Sequence, residues 1–299
     1  MTLVHAPAKV NLLLGCLNQP RPDGYHELRT VFMAVNLIDE LICETLPNGR
    51  IKVVVSGAQA HLVPPDGSDL AGRAAALLRQ RLGRQDLGVR LWIHKAIPVA
   101  GGMAGGSADA AAALRGCNDL WGLDADNDTL MTLGAELGAD VPFALLGGVA
   151  LGTNRGDQLT PLPVQGIYHW VFALAKRGLS TAAVFRCFDT INHAPSPNVE
   201  EPLLAALASG DAIAVGQSLH NDLTDAACHL RPALANTLVL GRQLDGVLGA
   251  VLSGSGPTCA FLCESADAAT TVAQTLKSLP QVHDARIAVG PAPGTTVQP

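Results

Sequence analysis

The sequence is poor in aromatic residues and in charge, and it has no long hydrophobic run. Only 4% of its 299 residues are aromatic and 15% are charged. The core must therefore be built from aliphatic side chains, and a chain of this length can bury such a core without disulfides or metals. No stretch approaches the ~18 apolar residues that a membrane-spanning helix needs. We expect no membrane partner.

The cysteine pattern gives no sign of a disulfide framework or of a metal site. There are seven cysteines, an odd number, and no C-x-x-C pair. This pattern favours reduced thiols that pack as small hydrophobic side chains. The first residues also lack the basic start and apolar core of a signal peptide. Together these features predict a cytoplasmic protein.

The charge balance argues against a nucleic-acid partner. The formal net charge is −6, the isoelectric point is near 5.8, and no block of like charge occurs. Proteins that bind nucleic acid without sequence preference need a broad basic surface. A local basic pocket for phosphate groups is still compatible with this composition.

What the sequence does have is a glycine-rich loop between a predicted strand and a predicted helix. Residues 89–95 alternate like a half-buried strand, and the alanine-rich run after the loop ends at Trp121 and Gly122, as a glycine-capped helix does. Four glycines leave successive backbone N–H groups free to turn toward one anion, and the helix dipole favours negative charge there. With Ser107 as the helix N-cap, we interpret the stretch as a phosphate-binding loop. The alternative is a flexible loop of small residues.

The rest of the first half reads as several strands and helices. On the strand predicted at residues 4–17, Lys9 and Asn11 share one face. Asp140 precedes Pro142, which is tolerated only in the first turn of a helix, so we place Asp140 at a helix start. Further strands are predicted at residues 29–38, 41–46, 51–55 and 149–153, and further helices at 69–82 and 127–138.

A stretch rich in proline and glycine at residues 160–166 suggests a domain boundary. We therefore predict one domain over residues 1–160 and a second over 161–299. The last nine residues are expected to be loose. In the second half, strands are predicted at residues 168–175, 247–252, 259–263 and 282–289, and a helix at 265–279.

Three motifs resemble those of the GHMP small-molecule kinases. They are A-P-A-K-V-N-L at residues 6–12, the glycine loop together with L-G-A-D-V-P at 137–142, and S-G-S-G-P-T at 253–258. Two further stretches are similar to a branch of this family that acts on a cytidine diphosphate substrate in the non-mevalonate isoprenoid route. These are R-P-D-G-Y-H-E-L at 21–28 and G-L-S-T-A-A-V-F at 178–185. The resemblance covers most of the chain in the right order.

The resemblance implies a fold, an activity and a nucleotide site. The fold would be a two-domain α+β fold, with a first domain like the second domain of ribosomal protein S5 and a ferredoxin-like second domain. The activity would be ATP-dependent phosphorylation of a small molecule, with magnesium as cofactor. The residues expected to bind ATP are Pro98, Val99, Ala100, Gly101, Gly102, Met103, Ala104, Gly105, Gly106, Ser107 and Ala108.

Lys9 and Asp140 match the catalytic pair of the family. Asp140 would orient the substrate hydroxyl and take its proton, while Lys9 would keep that carboxylate ionised and stabilise developing negative charge. Without the resemblance, Lys9 could be a solvated strand lysine and Asp140 a plain helix N-cap. Asn11 lies on the same face as Lys9 and is expected to hydrogen-bond in the substrate pocket.

The resemblance also implies how the cytidine end would be held. His26 would read the edge of the cytosine, and Tyr25 and Phe185 would stack on its two faces. The ordinary alternative for these aromatic side chains is a place in the core.

The glycine loop departs from the family pattern at two positions. Ala104 stands where the family often has glycine, and Ala108 where a second serine is common. The missing hydroxyl leaves the magnesium ligands unknown, with Ser107, Asp109, or phosphate oxygens and water as alternatives.

The S-G-S-G-P-T motif and the exact activity each admit more than one interpretation. The motif is either a turn beside the substrate pocket or a tight turn between two strands. The protein could instead be a homoserine or mevalonate kinase, or a GHMP-fold sensor that binds nucleotide without turnover. Intact Lys9 and Asp140 argue against the sensor. Oligomeric state is not encoded in any motif.

Overall fold

Two β-sheets, each covered by helices, form the protein in a computed structural model that describes residues 1–21, 24, 26–57, 59–63, 69–191 and 200–299. The first half contains, in order, β1 (Thr2–Pro20), β2 (His26–Leu46), β3 (Ile51–Gly57), a single 3-10 turn (Ala60–Leu62), α1 (Leu70–Arg81), β4 (Gly88–Lys95), α2 (Gly105–Trp121), α3 (Asn127–Leu137), α4 (Val141–Leu146), β5 (Val149–Thr153) and β6 (Gln158–Pro161).

The second half adds the smaller sheet, the remaining helices of the described residues, and two short strands that join the larger sheet. It contains β7 (Tyr168–Ala175), α5 (Thr181–Phe188), α6 (Glu200–Ser209), α7 (Ala212–Gln217), β8 (His220–Asn221), α8 (Thr224–Leu230), α9 (Ala233–Arg242), β9 (Val247–Leu252), β10 (Cys259–Cys263), α10 (Ala266–Lys277), β11 (Val282–Gly290) and β12 (Thr296–Gln298).

The larger sheet is built around β1 and β2. Its strand order is β12-β1-β2-β4-β3, with β5 and then β6 joined to β2, and β8 joined to β1. Helix α2 packs across β1 and β2. Its alanines 110–113 are buried, and a Cβ at Gly116 would lie only 2.8 Å from Val4 Cγ2. Small side chains therefore let this helix lie close to the sheet, which brings its first turn to the end of β4.

The smaller sheet has the strand order β11-β7-β10-β9 and is antiparallel throughout. Along the chain, strands and helices alternate as one strand, several helices, two strands, one helix and a last strand. This is the ferredoxin-like topology that the motif resemblance implied. The strands predicted in this half and the helix that follows them are confirmed within a few residues.

Strand β2 is longer than the sequence suggested. Two separate strands were predicted at residues 29–38 and 41–46, but a single strand of 21 residues crosses both. The register between β1 and β2 shifts between Pro7 and Ala8, which leaves two residues of β2 unpaired with β1. A bulge of this kind lets a strand change direction without ending, and Asp39 and Glu40, which lie between the two predicted strands, pair with Ala6 and His5.

The end of the chain is ordered, and its predicted looseness was wrong. β12 pairs with β1, with Leu3 opposite Gln298, and the Thr295 hydroxyl donates to the carbonyl of Ala144 at 2.8 Å. These partners lie far away in the sequence, so no local signal announced them. β8 also pairs with β1. The division into domains of residues 1–160 and 161–299 stays a prediction.

Candidate active site

One cavity of about 800 Å³ collects residues from every motif singled out in the sequence. Its size is typical of sites for small molecules. The wall includes Lys9, Asn11, His26, Pro98, Ala100, Gly101, Gly102, Ala104, Gly105, Gly106, Ser107, Asp140, Thr181, Phe185, Gly254 and Ser255. Three loop residues expected to meet the nucleotide are not on this wall, namely Val99, Met103 and Ala108. Met103 and Ala108 are instead fully buried.

Lys9 and Asp140 are brought together across the cavity wall. Lys9 is only 5% exposed, and its Nζ lies 3.9 Å from Asp140 Oδ2. Burial lowers the pKa of Lys9, and the Asp140 carboxylate opposes this effect in part. Asp140 occupies the N-cap position of α4, as predicted, but its side chain makes no capping hydrogen bond. The carboxylate therefore does not cap the helix, and Asp140 lines the cavity instead.

A chain of hydrogen bonds orients the Lys9 ammonium. Lys9 Nζ donates to Asn11 Oδ1 at 2.7 Å, and Asn11 Nδ2 donates to Thr30 Oγ1 at 2.8 Å. Thr30 in turn donates to the carbonyl of Leu13 at 2.6 Å. The ring of Phe32 adds a cation–π contact, with its centroid 5.5 Å from Nζ. Sequence reasoning found Asn11 but missed Thr30, which faces it only because β1 and β2 pair.

The glycine loop turns into α2 earlier than predicted. The helix begins at Gly105, and Ala104 precedes it in a left-handed conformation with φ of 61°. The prediction that Ser107 is the N-cap was wrong, because Ser107 already lies in the first helical turn. Ala104 takes a conformation that costs a residue with a Cβ roughly 1–2 kcal/mol.

The S-G-S-G-P-T motif forms the turn between β9 and β10 and also part of the cavity wall. Gly254 has a positive φ of 55°, and a Cβ there would lie 3.1 Å from Lys9 Nζ. Ser253 Oγ donates to the carbonyl of Gly102 at 3.0 Å, so the turn holds the glycine loop. The interpretation as a turn between two strands is therefore confirmed, and the same turn lines the cavity, while its place beside a substrate stays a prediction.

His26 and Phe185 meet across the two halves of the chain. Their rings stack with centroids 5.0 Å apart at an angle of 24°, and His26 is buried. The His26 ring shares a 2.7 Å hydrogen bond between Nε2 and Asp189 Oδ1. Asp189 follows Phe185 by four residues, which places both on one side of α5, but nothing in the sequence marked it. Tyr25 lies outside the described residues.

Asp109 is not directed at the cavity. It is 6% exposed, and its Oδ2 accepts a hydrogen bond of 2.6 Å from Lys95 Nζ. Its carboxyl group is therefore bound to Lys95 beneath the cavity wall, which argues against the role of magnesium ligand that the sequence left open for it. Within the described ranges, no helix is long and apolar enough to cross a membrane.

These features define a small-molecule kinase, and the chain belongs to the GHMP kinase family. The model of the GHMP kinases N-terminal domain matches residues 69–148, and that of the GHMP kinases C-terminal domain matches residues 203–280. The α+β fold of two domains is that of this family, and ATP is the family's co-substrate. The resemblance seen in the motifs is thus confirmed.

The most informative relatives are named 4-diphosphocytidyl-2-C-methyl-D-erythritol kinase. The protein from Thermobifida fusca is 52% identical over 98% of this chain and 97% of its own length. That from Nocardia farcinica is 51% identical over 99% of this chain and 95% of its own. These similarities confirm the resemblance to one branch of the family, the kinases that act on a cytidine diphosphate substrate. That resemblance was inferred from the stretches R-P-D-G-Y-H-E-L and G-L-S-T-A-A-V-F.

Solved structures superpose on this chain over nearly its whole length. A crystal structure of 4-(cytidine 5'-diphospho)-2C-methyl-D-erythritol kinase superposes with a TM-score of 0.79 at 33% identity, covering 96% of this chain and 98% of that one. A homoserine kinase from Cytophaga hutchinsonii superposes with a TM-score of 0.78 at 20% identity, covering 99% and 97%. The second likeness shows the fold alone.

Proposed function

We propose that the protein transfers the γ-phosphoryl group of ATP to the 2-hydroxyl of 4-diphosphocytidyl-2-C-methyl-D-erythritol, giving the 2-phosphate and ADP in the non-mevalonate route to isoprenoid precursors. The observation that carries the proposal is the shared cavity. The glycine loop, the Lys9–Asp140 pair and the His26–Phe185 pair all line it. Nucleotide, reacting hydroxyl and cytidine end can therefore be held at once, and the relatives' names support the choice of substrate.

Asp140 is the group that orients and deprotonates the hydroxyl. Its side chain is 35% exposed on the cavity and does not cap α4, so a carboxylate oxygen is accessible to a substrate. Phosphoryl transfer needs little covalent help from the protein beyond such positioning and charge stabilisation. Proton removal by Asp140 would make the hydroxyl oxygen a better nucleophile as the bond to phosphorus forms.

Lys9 supplies the positive charge. The 3.9 Å distance to Asp140 is longer than a hydrogen bond, so the ammonium can also approach the reacting oxygen or the transferred group. Because the site is buried, its charge acts with little screening by water. Asn11 and Thr30 keep the ammonium from turning away from the cavity.

The nucleotide phosphates belong at the first turn of α2. Gly105, Gly106 and Ser107 begin this helix and line the cavity, and the turn after them is rich in small residues. Free N–H groups and the positive end of the helix dipole favour an anion at such a place. ATP bound there would share the cavity with the Lys9–Asp140 pair, which would be the pair to meet its transferred phosphoryl group.

The residues present fit a magnesium ion that arrives with ATP. Within the described ranges, no group of three His, Cys, Asp or Glu side chains could hold a metal ion. Magnesium in nucleotide sites is often bound by phosphate oxygens and water with few protein ligands. Ser107 carries the hydroxyl group of the glycine loop on the cavity wall and would be the protein ligand of the magnesium ion. When bound, the ion neutralises charge on the phosphates.

The cytidine end is the larger handle for selection. We assign the cytosine to the neighbourhood of His26 and Phe185, where a flat ring can stack and its polar edge can be read. Tyr25 would supply the second face. A buried site that hydrogen-bonds one edge rejects analogues that leave its groups unpaired.

We place this activity in the cytoplasm, with small molecules as partners. All seven cysteines are free thiols and most are buried, which fits a reducing compartment.

The test is ADP release with each of three acceptors, namely the cytidine substrate, homoserine and mevalonate, and with none. In the presence of ATP, we expect rapid ADP release only when the acceptor is the cytidine substrate. Phosphorus NMR should then show a single new phosphate monoester. Preference for homoserine or mevalonate would move the protein to another branch of the family. ATP binding without turnover on any of the three would favour the sensor.

A further inference from the structure

A second group of charged side chains is buried beneath the glycine loop, outside the reaction assigned above. It consists of Lys95 at the end of β4, Asp39 in β2 and Asp109 in α2, and we call these three residues the clamp. Their exposures are 4%, 1% and 6%. None of the three is on the wall of the large cavity. The clamp therefore acts through what it holds and does not touch a ligand there.

The clamp ties together the three segments that meet at the loop. Lys95 Nζ donates to Asp109 Oδ2 at 2.6 Å and also to Asp39 Oδ2. The other oxygen of Asp39 accepts hydrogen bonds from the backbone N–H groups of Ala96 at 2.6 Å and Ile97 at 2.8 Å. Strand β2, the entry to the loop and the second turn of α2 are thus joined through one ammonium.

The Lys95 ammonium lies next to Gly105, the first residue of α2. A Cβ added to Gly105 would lie 3.2 Å from Lys95 Nζ and 3.1 Å from Ile97 Cγ2. The backbone of the first helical turn thus rests directly on the clamp. A shift of Lys95 would therefore move the N–H groups to which we assign the ATP phosphates.

Stability alone is a poor reason to bury these charges. Buried ion pairs are costly to desolvate, and well-packed apolar side chains of similar volume often stabilise a fold as well or better. What a buried pair does supply is a defined geometry, since its hydrogen bonds are lost when either partner moves. Defined geometry is valuable where backbone N–H groups must meet phosphate oxygens.

We propose that Lys95 is a positioning residue of the nucleotide loop, which fixes the first turn of α2 relative to β4 by bridging Asp39 and Asp109. This rests on the proposed function, because it takes the glycine loop as the ATP site. It predicts that loss of Lys95 weakens nucleotide binding selectively. The cytidine end, held by His26 and Phe185 elsewhere in the cavity, should be unaffected.

The main test is Lys95→Met, which keeps the length of the side chain and removes its charge. The dissociation constant for a non-hydrolysable ATP analogue should rise at least ~10-fold, as expected when a binding backbone is displaced by an ångström or less. The dissociation constant for the cytidine substrate should stay close to the wild-type value. Lys52→Met on the neighbouring strand β3 is the matched control, because Lys52 is exposed and should tolerate the change.

A graded pair of variants separates positioning from general loss of stability. Asp109→Asn keeps an acceptor for Lys95 Nζ and should preserve most of the ATP affinity. Asp109→Ala removes the bridge to α2 and should weaken ATP binding toward the level of Lys95→Met. If Lys95→Met does not fold, the contrast between the two Asp109 variants decides the question.

Two outcomes would overturn the proposal. One is a folded Lys95→Met protein with wild-type ATP affinity, and the other is an equal loss of affinity for both ligands. Gly106→Val tests the loop assignment separately, since a Cβ there meets nothing closer than Leu70 Cδ1 at 3.7 Å. If Gly106→Val leaves ATP binding unchanged, the proposed nucleotide site fails. If it weakens ATP binding while Lys95→Met does not, only the clamp fails.

Discussion

Two buried lysines of the same sheet meet aspartates in opposite ways. Lys9 on β1 faces one carboxylate at 3.9 Å, and burial lowers its pKa despite Asp140. Lys95 on β4 lies between two carboxylates in direct hydrogen-bond contact. Burial opposes its charge too, but Asp109 and Asp39 outweigh that effect and raise the pKa of Lys95. Both sites thus pair a buried lysine with aspartate, but they differ in the distance from the ammonium to the carboxyl group and in the number of carboxyl partners.

The difference shows how one fold separates chemistry from architecture. Lys95 is hydrogen-bonded to two buried carboxyl groups and does not line the cavity, so it is fixed in place and cannot turn to a substrate. A lysine held on one side by Asn11, with its carboxylate beyond hydrogen-bond reach, keeps capacity for a reacting oxygen. We therefore assign catalysis to Lys9 and Asp140, and positioning to Lys95.

The largest effect is expected at the Lys9–Asp140 pair. Asp140→Asn should lower kcat roughly 100- to 10,000-fold, the range for a positioned acid or base, because the amide cannot take the hydroxyl proton. Binding of the cytidine substrate should change little, since the amide is nearly isosteric. Steady-state kinetics and calorimetry measure the two quantities.

Asp86→Asn is the matched control for this prediction, because the Asp86 side chain is 70% exposed and distant in the sequence from every motif. A folded Asp140→Asn protein with near-normal turnover would reduce Asp140 to the residue that starts α4.

The second effect is a pH dependence that only one lysine should show. Burial lowers the pKa of Lys9, so its ammonium is lost as pH rises through a value below the usual 10.5. Above that point kcat/KM should fall roughly tenfold per pH unit, as for loss of one essential proton. Lys9→Arg should remove this limb, since a guanidinium keeps its charge.

Lys95→Met is the control for the pH profile. Because the pKa of Lys95 is raised, its titration lies outside the range of the basic limb. A basic limb that disappears in Lys95→Met, and persists in Lys9→Arg, would reverse the roles of the two lysines.

A smaller effect is expected at the cytidine end, which contacts neither lysine. Phe185→Ala should raise the KM for the cytidine substrate about 10-fold, given that an aromatic stack on a base contributes ~1–3 kcal/mol. The KM for ATP should stay the same. Tyr25→Ala is the companion variant for the second face. Loss of ATP affinity in both variants would place the aromatic side chains around the adenine instead.

The last effect concerns stability and leaves activity aside, and it arises at the Asp109 carboxyl group of the clamp. Burial raises the pKa of Asp109 to about 8, with Lys95 opposing and Asp39 adding to the shift. The folded protein thus holds a proton that the unfolded chain releases near pH 4. Wild-type stability should therefore decline between about pH 4 and 8 and then level off.

Asn at position 109 does not titrate, so Asp109→Asn should gain stability relative to wild type over that range. The gain is at most ~1.4 kcal/mol per pH unit, and urea unfolding from pH 5 to 9 measures it. A difference that is constant with pH would mean that Asp109 is ionised throughout in the folded protein.

Much of this site could be predicted from sequence, because its motifs are local. The strand–loop–helix order around the glycines, the helix end at Trp121, and the positions of Lys9 and Asp140 all follow from short patterns. The meeting of Lys9 with Asp140 came from the resemblance, since no spacing rule joins residues so far apart.

The partners that orient those residues could not be predicted. Thr30, Asp189 and Asp39 reach the site only through strand pairing and the packing of α5, and each reads in the sequence as an ordinary polar residue. The helix start was misplaced because serine is a preferred N-cap residue, whereas the residue that precedes α2 is Ala104, which takes a positive φ and has no capping side chain.

Strand β1 has a consequence for how the chain reaches this structure. It gains β8 beside residues 13–14 and β12 beside residues 3–5, both contributed by distant parts of the chain. Pairings of such high contact order form late and slowly. Until they form, β1 carries exposed edges that can recruit strands of other molecules. A fragment limited to residues 1–160 should therefore aggregate, and in the intact chain the last strand acts as a protective cover for the first.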